Sequence, residues 1–159
     1  MAAIPDDGGT RLKVHYLDDL SVGQRFQSGT KLVTEEEVIR FAREYDPQPF
    51  HTDPQAAKAT FFQGLAASGW HTMAMSMRLM VDGGLPLAGG IVGAGGEISW
   101  PMPTRPGDTL TVESIIEEVR PSRSRPDRGM VIVRNETRNQ RGEIVQVMVG
   151  KLVVPKRPD

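Results

Sequence analysis

Residues 41–72 read FAREYDPQPFHTDPQAAKATFFQGLAASGWHT. The middle of this stretch, Asp46 to Pro54, holds Pro47, Pro49 and Pro54, so its backbone has few conformations open to it. Upstream, Thr34 and Glu37 form a T-x-x-E capping box. Val38, Phe41, Ala42 and Tyr45 then fall at i, i+3, i+4 and i+7, one apolar face of a helix. Pro47 ends that helix and pushes Asp46 toward an extended conformation. Asp53 before Pro54 predicts an N-cap with proline at the first helical position, and a short helix through Ala56, Ala57 and Ala59. A second long helix is predicted over Ser68 to Asp82, stopped by Gly83 and Gly84. Met73, Met75, Met77, Leu79, Met80 and Val81 lie almost all round it, which predicts a helix buried in the middle of the fold.

Moving outward from this stretch, the signals change from helical to strand-like. Gln24 to Val33 predicts a first strand. From Gly89 the period becomes two: Ile98 and Trp100 alternate with small or polar residues, Leu110 and Val112 lead to Ile115 and Ile116, and Met130 to Asn135 is β-branched. Val145, Val147 and Val149 alternate, and Leu152 to Val154 continues that strand. Pro106-Gly107-Asp108 and Asn139 to Gly142 predict turns, and Pro121 to Gly129 a longer charged connection. Met1 to Val14 is predicted to be a loose tail, and residues 15–155 a single α+β domain with a long antiparallel sheet and one buried helix. One helix cannot cover both faces of such a sheet, and its edges need partners, so a dimer is expected.

Composition narrows the function classes. The chain has 159 residues, enough to bury roughly 70% of its unfolded surface without disulfides or metal. The net charge of −1 argues against a nucleic-acid binder that works by neutralising phosphates. There is no cysteine, which excludes a thiol nucleophile and a thiolate metal site and fits a reducing compartment. Met1 to Thr10 lacks the apolar core of a secretory signal. The apolar run Leu65 to Val81 is broken by Gly69, His71 and Arg78, so it predicts a buried helix and not a membrane span.

Chemistry concentrates at Asp46 and His51. A carboxylate and an imidazole on one stiff, bent segment could both approach one water, as general acid–base addition or removal of water requires. The same two residues could equally be a local backbone cap and an ordinary loop histidine. His51-Thr52-Asp53 with His71 downstream imitates an H-x-D…H iron site, although Asp53 is already explained as a helix cap. Gly89, Gly90, Gly93, Gly95 and Gly96 lead into a strand and lack a following Lys-Ser/Thr, so they predict a bend in the sheet and not a phosphate loop. Arg120, Arg123, Arg125 and Arg128 form a basic cluster, either a solvated loop or a contact for coenzyme A phosphates.

The segment Phe41 to Thr72 resembles the MaoC-like dehydratases, the (R)-specific enoyl-CoA hydratases of the hotdog fold. Their D-x-N-P-x-H signature, with a following acidic residue, alanines, an aromatic and a glycine at the entry to the central helix, is matched at Asp46, Pro49, His51, Asp53, Ala57, Phe62 and Gly69. The later ISWPMPTRPGDTL, Ile98 to Leu110, looks like the family's strand–turn–strand. The resemblance runs from Tyr16 to Val154. It implies a hotdog fold, a long antiparallel sheet wrapped around one central helix. It implies a hydro-lyase in which Asp46 and His51 activate a water that adds to C3 of a trans-2-enoyl-CoA, giving the (R)-3-hydroxyacyl thioester. It implies that the backbone N–H of Gly69 faces the thioester oxyanion. It further implies no metal, no cofactor beyond the coenzyme A of the substrate, a homodimer with the site near the subunit boundary, and a cytoplasmic location. The chain departs from the family pattern at Gln48, where the family has asparagine, at Tyr45, where it has a small residue, and at Ser68, where it often has histidine. Gln48 would have to re-aim the bond that orients the pair, and Tyr45 and Ser68 could reshape the acyl pocket. A hotdog thioesterase and a non-catalytic acyl-binding subunit are the alternatives.

Overall fold

The computed structural model describes residues 12–159; residues 1–11 of the expected N-terminal tail lie outside them. Among the described residues, backbone pairing with the rest of the fold starts at His15, whose N–H donates to Pro86 O at 2.8 Å and whose carbonyl accepts from Ala88 N at 2.8 Å. Six strands follow: β1 (Arg25–Gln27), β2 (Lys31–Leu32), β3 (Val92–Ser99), β4 (Thr109–Pro121), β5 (Arg128–Arg138) and β6 (Ile144–Pro155). They form one antiparallel sheet in the order β1-β4-β5-β6-β3, with β2 also on β4. The helices are α1 (Glu35–Tyr45), α2 (Pro49–Thr52), α3 (Pro54–Ala57) and α4 (Gly69–Leu79), the last continuing as a wide turn over Met80–Gly84. The sheet curls round α4, and the chain has the hotdog fold.

The strand predicted over Gln24–Val33 is two strands. The break falls at Ser28, whose hydroxyl accepts from Val112 N at 2.7 Å in place of a ladder carbonyl. Ser28 also lies where Gly84 approaches: a β-carbon on Gly84 would sit 2.7 Å from Ser28 Cβ. The α1 face is narrower than predicted. Val38 and Ala42 are fully buried and Phe41 is half-buried, whereas Tyr45 is 67% exposed.

The core-facing side of the sheet carries Val112 and Ile116 from β4, Val131 and Val133 from β5, and Leu152 and Val154 from β6, packed on Met75, Leu79 and Met80. In β6 the predicted alternation is displaced. The register shifts opposite Thr137/Arg138, so Val147 and Val149 pair with Glu136 and Arg134 on the outer face, while Gln146, Met148 and Gly150 face inward. The central helix also differs from prediction, because one chain does not enclose it. His71, Thr72, Met75, Ser76 and Leu79 are buried, but Trp70 and Val81 are each 61% exposed and Ala74 is open to solvent. In the sheet β3 is an edge strand, exposed at every position except Ile98. No helix of the described residues is long and apolar enough to cross a membrane.

Candidate active site

Asp46 closes α1: its N–H donates to Ala42 O at 2.8 Å and its backbone leaves the helical region at φ −151°, ψ 65°. The segment predicted to be a stiff loop is instead a hinge followed by two single-turn helices. Each proline occupies a place where its missing N–H costs nothing. Pro47 follows the end of α1, and Pro49 and Pro54 take first-turn positions of α2 and α3. Asp53 caps α3 as predicted, accepting from Gln55 N at 2.9 Å and Ala56 N at 3.1 Å.

This geometry turns Asp46 and His51 toward each other. His51 Nε2 lies 3.3 Å from Asp46 Oδ2, with the imidazole side chain 6% exposed and the carboxylate 18% exposed. The other ring nitrogen, Nδ1, is 2.7 Å from Ala66 O. A carbonyl can only accept, so Nδ1 carries the proton, and in the neutral ring Nε2 presents its lone pair to the carboxylate side. Gln48 Nε2 donates to Asp46 Oδ1 at 2.6 Å, so the longer amide reaches the carboxylate from two residues away. Burial of the Asp46 carboxyl opposes its charge, but the bond from Gln48, the nearby Ser68 hydroxyl and the charge of His51 together hold its pKa below the ordinary value. Ser68 Oγ is buried and near enough to act on that charge, yet it forms no hydrogen bond of normal geometry and does not cap α4.

Gly69 opens α4, an eleven-residue helix, so its N–H has no partner within the helix and sits at the positive end of the helix dipole. Its lack of a side chain is required. A β-carbon there would fall 2.6, 2.7 and 2.9 Å from three ring atoms of Trp100. Asp46, His51, Gly69, Thr72 and Trp100 line one pocket of about 440 Å³, with Phe61 and Phe62 at its side. Tyr45 and Gln48 do not line it; Tyr45 lies on the surface against Phe41, at 5.1 Å between rings. Ser68 stands behind the wall and not in it.

Two residues here were not predicted as functional. Trp100, read only as part of an alternating strand, forms the wall facing the helix start. Arg105 clamps the chain that leads to the helix: its guanidinium donates to Phe62 O, to Gly64 O at 2.9 Å and to Leu65 O at 3.2 Å. That clamp fixes Ala66 below His51. The P-G-D turn beside Arg105 supports it, since Asp108 Oδ2 accepts from Arg105 N at 2.8 Å and Oδ1 from Gln140 Nε2 at 3.1 Å. The Pro103-Thr104-Arg105-Pro106 run was the available signal.

His71 does not join His51 and Asp53. It is buried and stacked on Phe41 at 4.6 Å, and burial holds its pKa below the ordinary value, against the pull of Glu37. Among the described residues no group of three His, Cys, Asp or Glu side chains is placed to hold a metal ion. Gly95 lies at a β3 bulge with φ 148°, in keeping with the predicted bend. The arginine cluster lies elsewhere: Arg120, Arg123 and Arg128 line a separate depression of about 530 Å³ at the far end of the sheet. Eight residues of β6 separate Ser99↔Val147 from Arg128↔Pro155, about 26 Å at a typical strand rise.

Comparison with known proteins follows the same lines. The family profile described as "MaoC like domain" matches residues 20–140. A MaoC-like dehydratase of solved structure from Rhodospirillum rubrum is 55% identical, with a TM-score of 0.90 over 91% of this chain and 99% of that one. The (R)-hydratase from A. caviae involved in PHA biosynthesis is 26% identical, with a TM-score of 0.66 over 87% of this chain and 98% of that one. Protein YdeM of Bacillus subtilis is 33% identical over 141 residues, 87% of this chain and 96% of YdeM. A family profile across most of the domain, and a solved member that superposes along nearly its whole length, leave one assignment: the chain belongs to the MaoC-like dehydratase family.

Proposed function

We propose that this dehydratase-family chain adds water reversibly across the C2=C3 bond of a trans-2-enoyl-CoA, giving the (R)-3-hydroxyacyl thioester. The observation that carries the reading is the pairing of Asp46 Oδ2 with His51 Nε2 at 3.3 Å, with Nδ1 already committed to Ala66 O. A water seated on the pocket side of the pair, within reach of both groups, donates one hydrogen to the carboxylate and the other to Nε2. Its oxygen bonds to C3 as Nε2 takes the proton, and the C2=C3 electron pair moves toward the thioester carbonyl. The Gly69 N–H, at the start of α4, faces that developing oxyanion. The imidazolium returns a proton to C2 and the carbonyl reforms, so one water is consumed and the pair is restored. Both additions come from the side of the dyad, hence on one face of the alkene.

The site is completed by a second copy of the chain in the cytoplasm. The exposed edge strand β3 ends just before Trp100, and the open face of α4 starts at Trp70; the two indoles meet at 5.5 Å and both line the pocket. Antiparallel pairing of two β3 edges covers both. It also brings the arginine hairpin of one copy to the same end of the joined sheet as the dyad of the other, the arrangement in which those arginines could face coenzyme A phosphates. Incubation with crotonyl-CoA tests the reading. Loss of the enoyl absorbance with an (R) product supports it, release of free thiol indicates a thioesterase, and no change indicates a binding subunit. Light scattering at micromolar concentration should give a dimer or larger; a 17.5 kDa species alone would refute the shared site.

A further inference from the structure

We propose that Trp100 sets the acyl-chain length of this site, closing the space between α4 and β6 and restricting the enzyme to short acyl groups. This rests on the hydratase reading. The Trp100 indole is pinned from two sides. Its ring lies against the α-carbon of Gly69, so close that a β-carbon there would fall within 2.9 Å of three ring atoms. Its Nε1 donates to Gln146 Oε1 at 3.0 Å. Gln146 is 1% exposed on a strand otherwise rich in valine, a placement that is costly unless both ends of its amide are bonded. They are: Nε2 donates to Ser76 Oγ at 3.2 Å, and that hydroxyl donates to Thr72 O at 2.8 Å and lies 2.7 Å from Thr137 Oγ1. A buried polar chain therefore runs from the helix, through Gln146, to the indole.

The placement blocks one direction of travel. With the thioester carbonyl at the Gly69 N–H and C3 at the dyad, a longer acyl chain continuing inward would follow α4 toward its second turn. The side chains on that route are Met73, Ser76 and Gln146, and none of them lines the pocket, because the indole stands in front of them. Met73 is flexible and could yield to an acyl chain once the indole is gone.

The test is a chain-length series on Trp100→Ala and Trp100→Phe. Hydration of C4 to C10 trans-2-enoyl-CoA by the wild type should fall at least tenfold in kcat/KM between C4 and C8. Trp100→Ala should reverse that order, gaining at least tenfold on C8–C10 while losing on C4. Trp100→Phe, which keeps most of the packing but lacks the N–H, should fall between and guards against a folding defect in the alanine variant. Trp70 and Trp100 are the only tryptophans, so Trp70→Phe leaves Trp100 as the sole indole reporter. Its fluorescence, titrated with saturated butyryl- to decanoyl-CoA, reads the same length limit without turnover. A wild type equally active on C4 and C10, or a length profile unchanged in Trp100→Ala, overturns the inference. A fluorescence length limit in a protein that hydrates no enoyl thioester upholds the role of Trp100 and refutes the hydratase reading instead.

Discussion

The two walls of the pocket are built on different principles. The wall that carries the proposed acid–base pair is local: Asp46, Gln48 and His51 fall within six residues, braced by prolines and by turn hydrogen bonds such as His51 N to Gln48 O at 2.9 Å. The opposite wall is assembled from distant parts of the chain, with Gly69 at a helix start, Trp100 after an edge strand, and Gln146 a further 46 residues on. A short stiff segment is enough to hold two groups in contact. The shape of a cavity depends on how a helix is seated on a sheet, and that is a property of the whole domain.

The comparison breaks first at the local wall. Asp46→Asn keeps the size and most hydrogen bonding of the side chain but removes its charge, and it should lower kcat by about 10²–10⁴-fold with little change in Tm. His51→Gln should behave alike, and because the two are proposed to act on one water the double variant should be little worse than either. Crotonyl-CoA hydration measures all three, and near-wild-type turnover by Asp46→Asn would move the chemistry off this wall.

Within the opposite wall, Gly69→Ala should force the Trp100 indole aside. Overpacking of this kind costs about 1–3 kcal/mol, and disturbance of the proposed oxyanion donor should cost roughly 10–10³-fold in kcat. Adding Trp100→Ala should recover much of the lost Tm and less of the lost kcat. Independent effects on Tm in the double variant would show that the two positions are not in contact.

Gln48 sharpens the local side. Its amide helps hold the Asp46 pKa below the ordinary value, so Gln48→Ala should raise that pKa and lower kcat about tenfold at most. The acid limb of the kcat–pH profile should move to higher pH, because the carboxylate is then protonated sooner as pH falls. The stability that the depressed pKa contributes, present above the unfolded value of 3.8 and lost as pH falls through the folded one, should shrink with it. Gln48→Asn, which keeps the amide, should show the smaller shift. An unmoved limb in Gln48→Ala would reduce the residue to a spacer.

The smallest effect is expected at Tyr45. It is two-thirds exposed and off the pocket, so Tyr45→Ala should change stability by no more than about 0.5 kcal/mol and leave the acyl preference as it was. An altered preference would return Tyr45 to the acyl pocket, where its position in the motif had put it.

Much of this molecule is determined within a few residues of where it is written. The Thr34/Glu37 box, the Pro47 stop, the Asp53 cap and the turns at Gly107 and Gly142 are local conflicts between backbone donors, side-chain acceptors and allowed φ, and each resolves the same way in any fold. The D-x-x-P-x-H spacing belongs to this class, which is why a short segment is enough to bring Asp46 and His51 together. What the tertiary structure decided depends on register and on neighbours. The shift opposite Thr137/Arg138 turned Val147 and Val149 outward and Gln146 inward, against the visible alternation, because a single extra residue exchanges the two faces of a strand. The break at Ser28 needed Gly84 beside it. The role of Trp100 needed a helix start without a β-carbon and a buried amide from another strand, partners that no pattern along the chain places together.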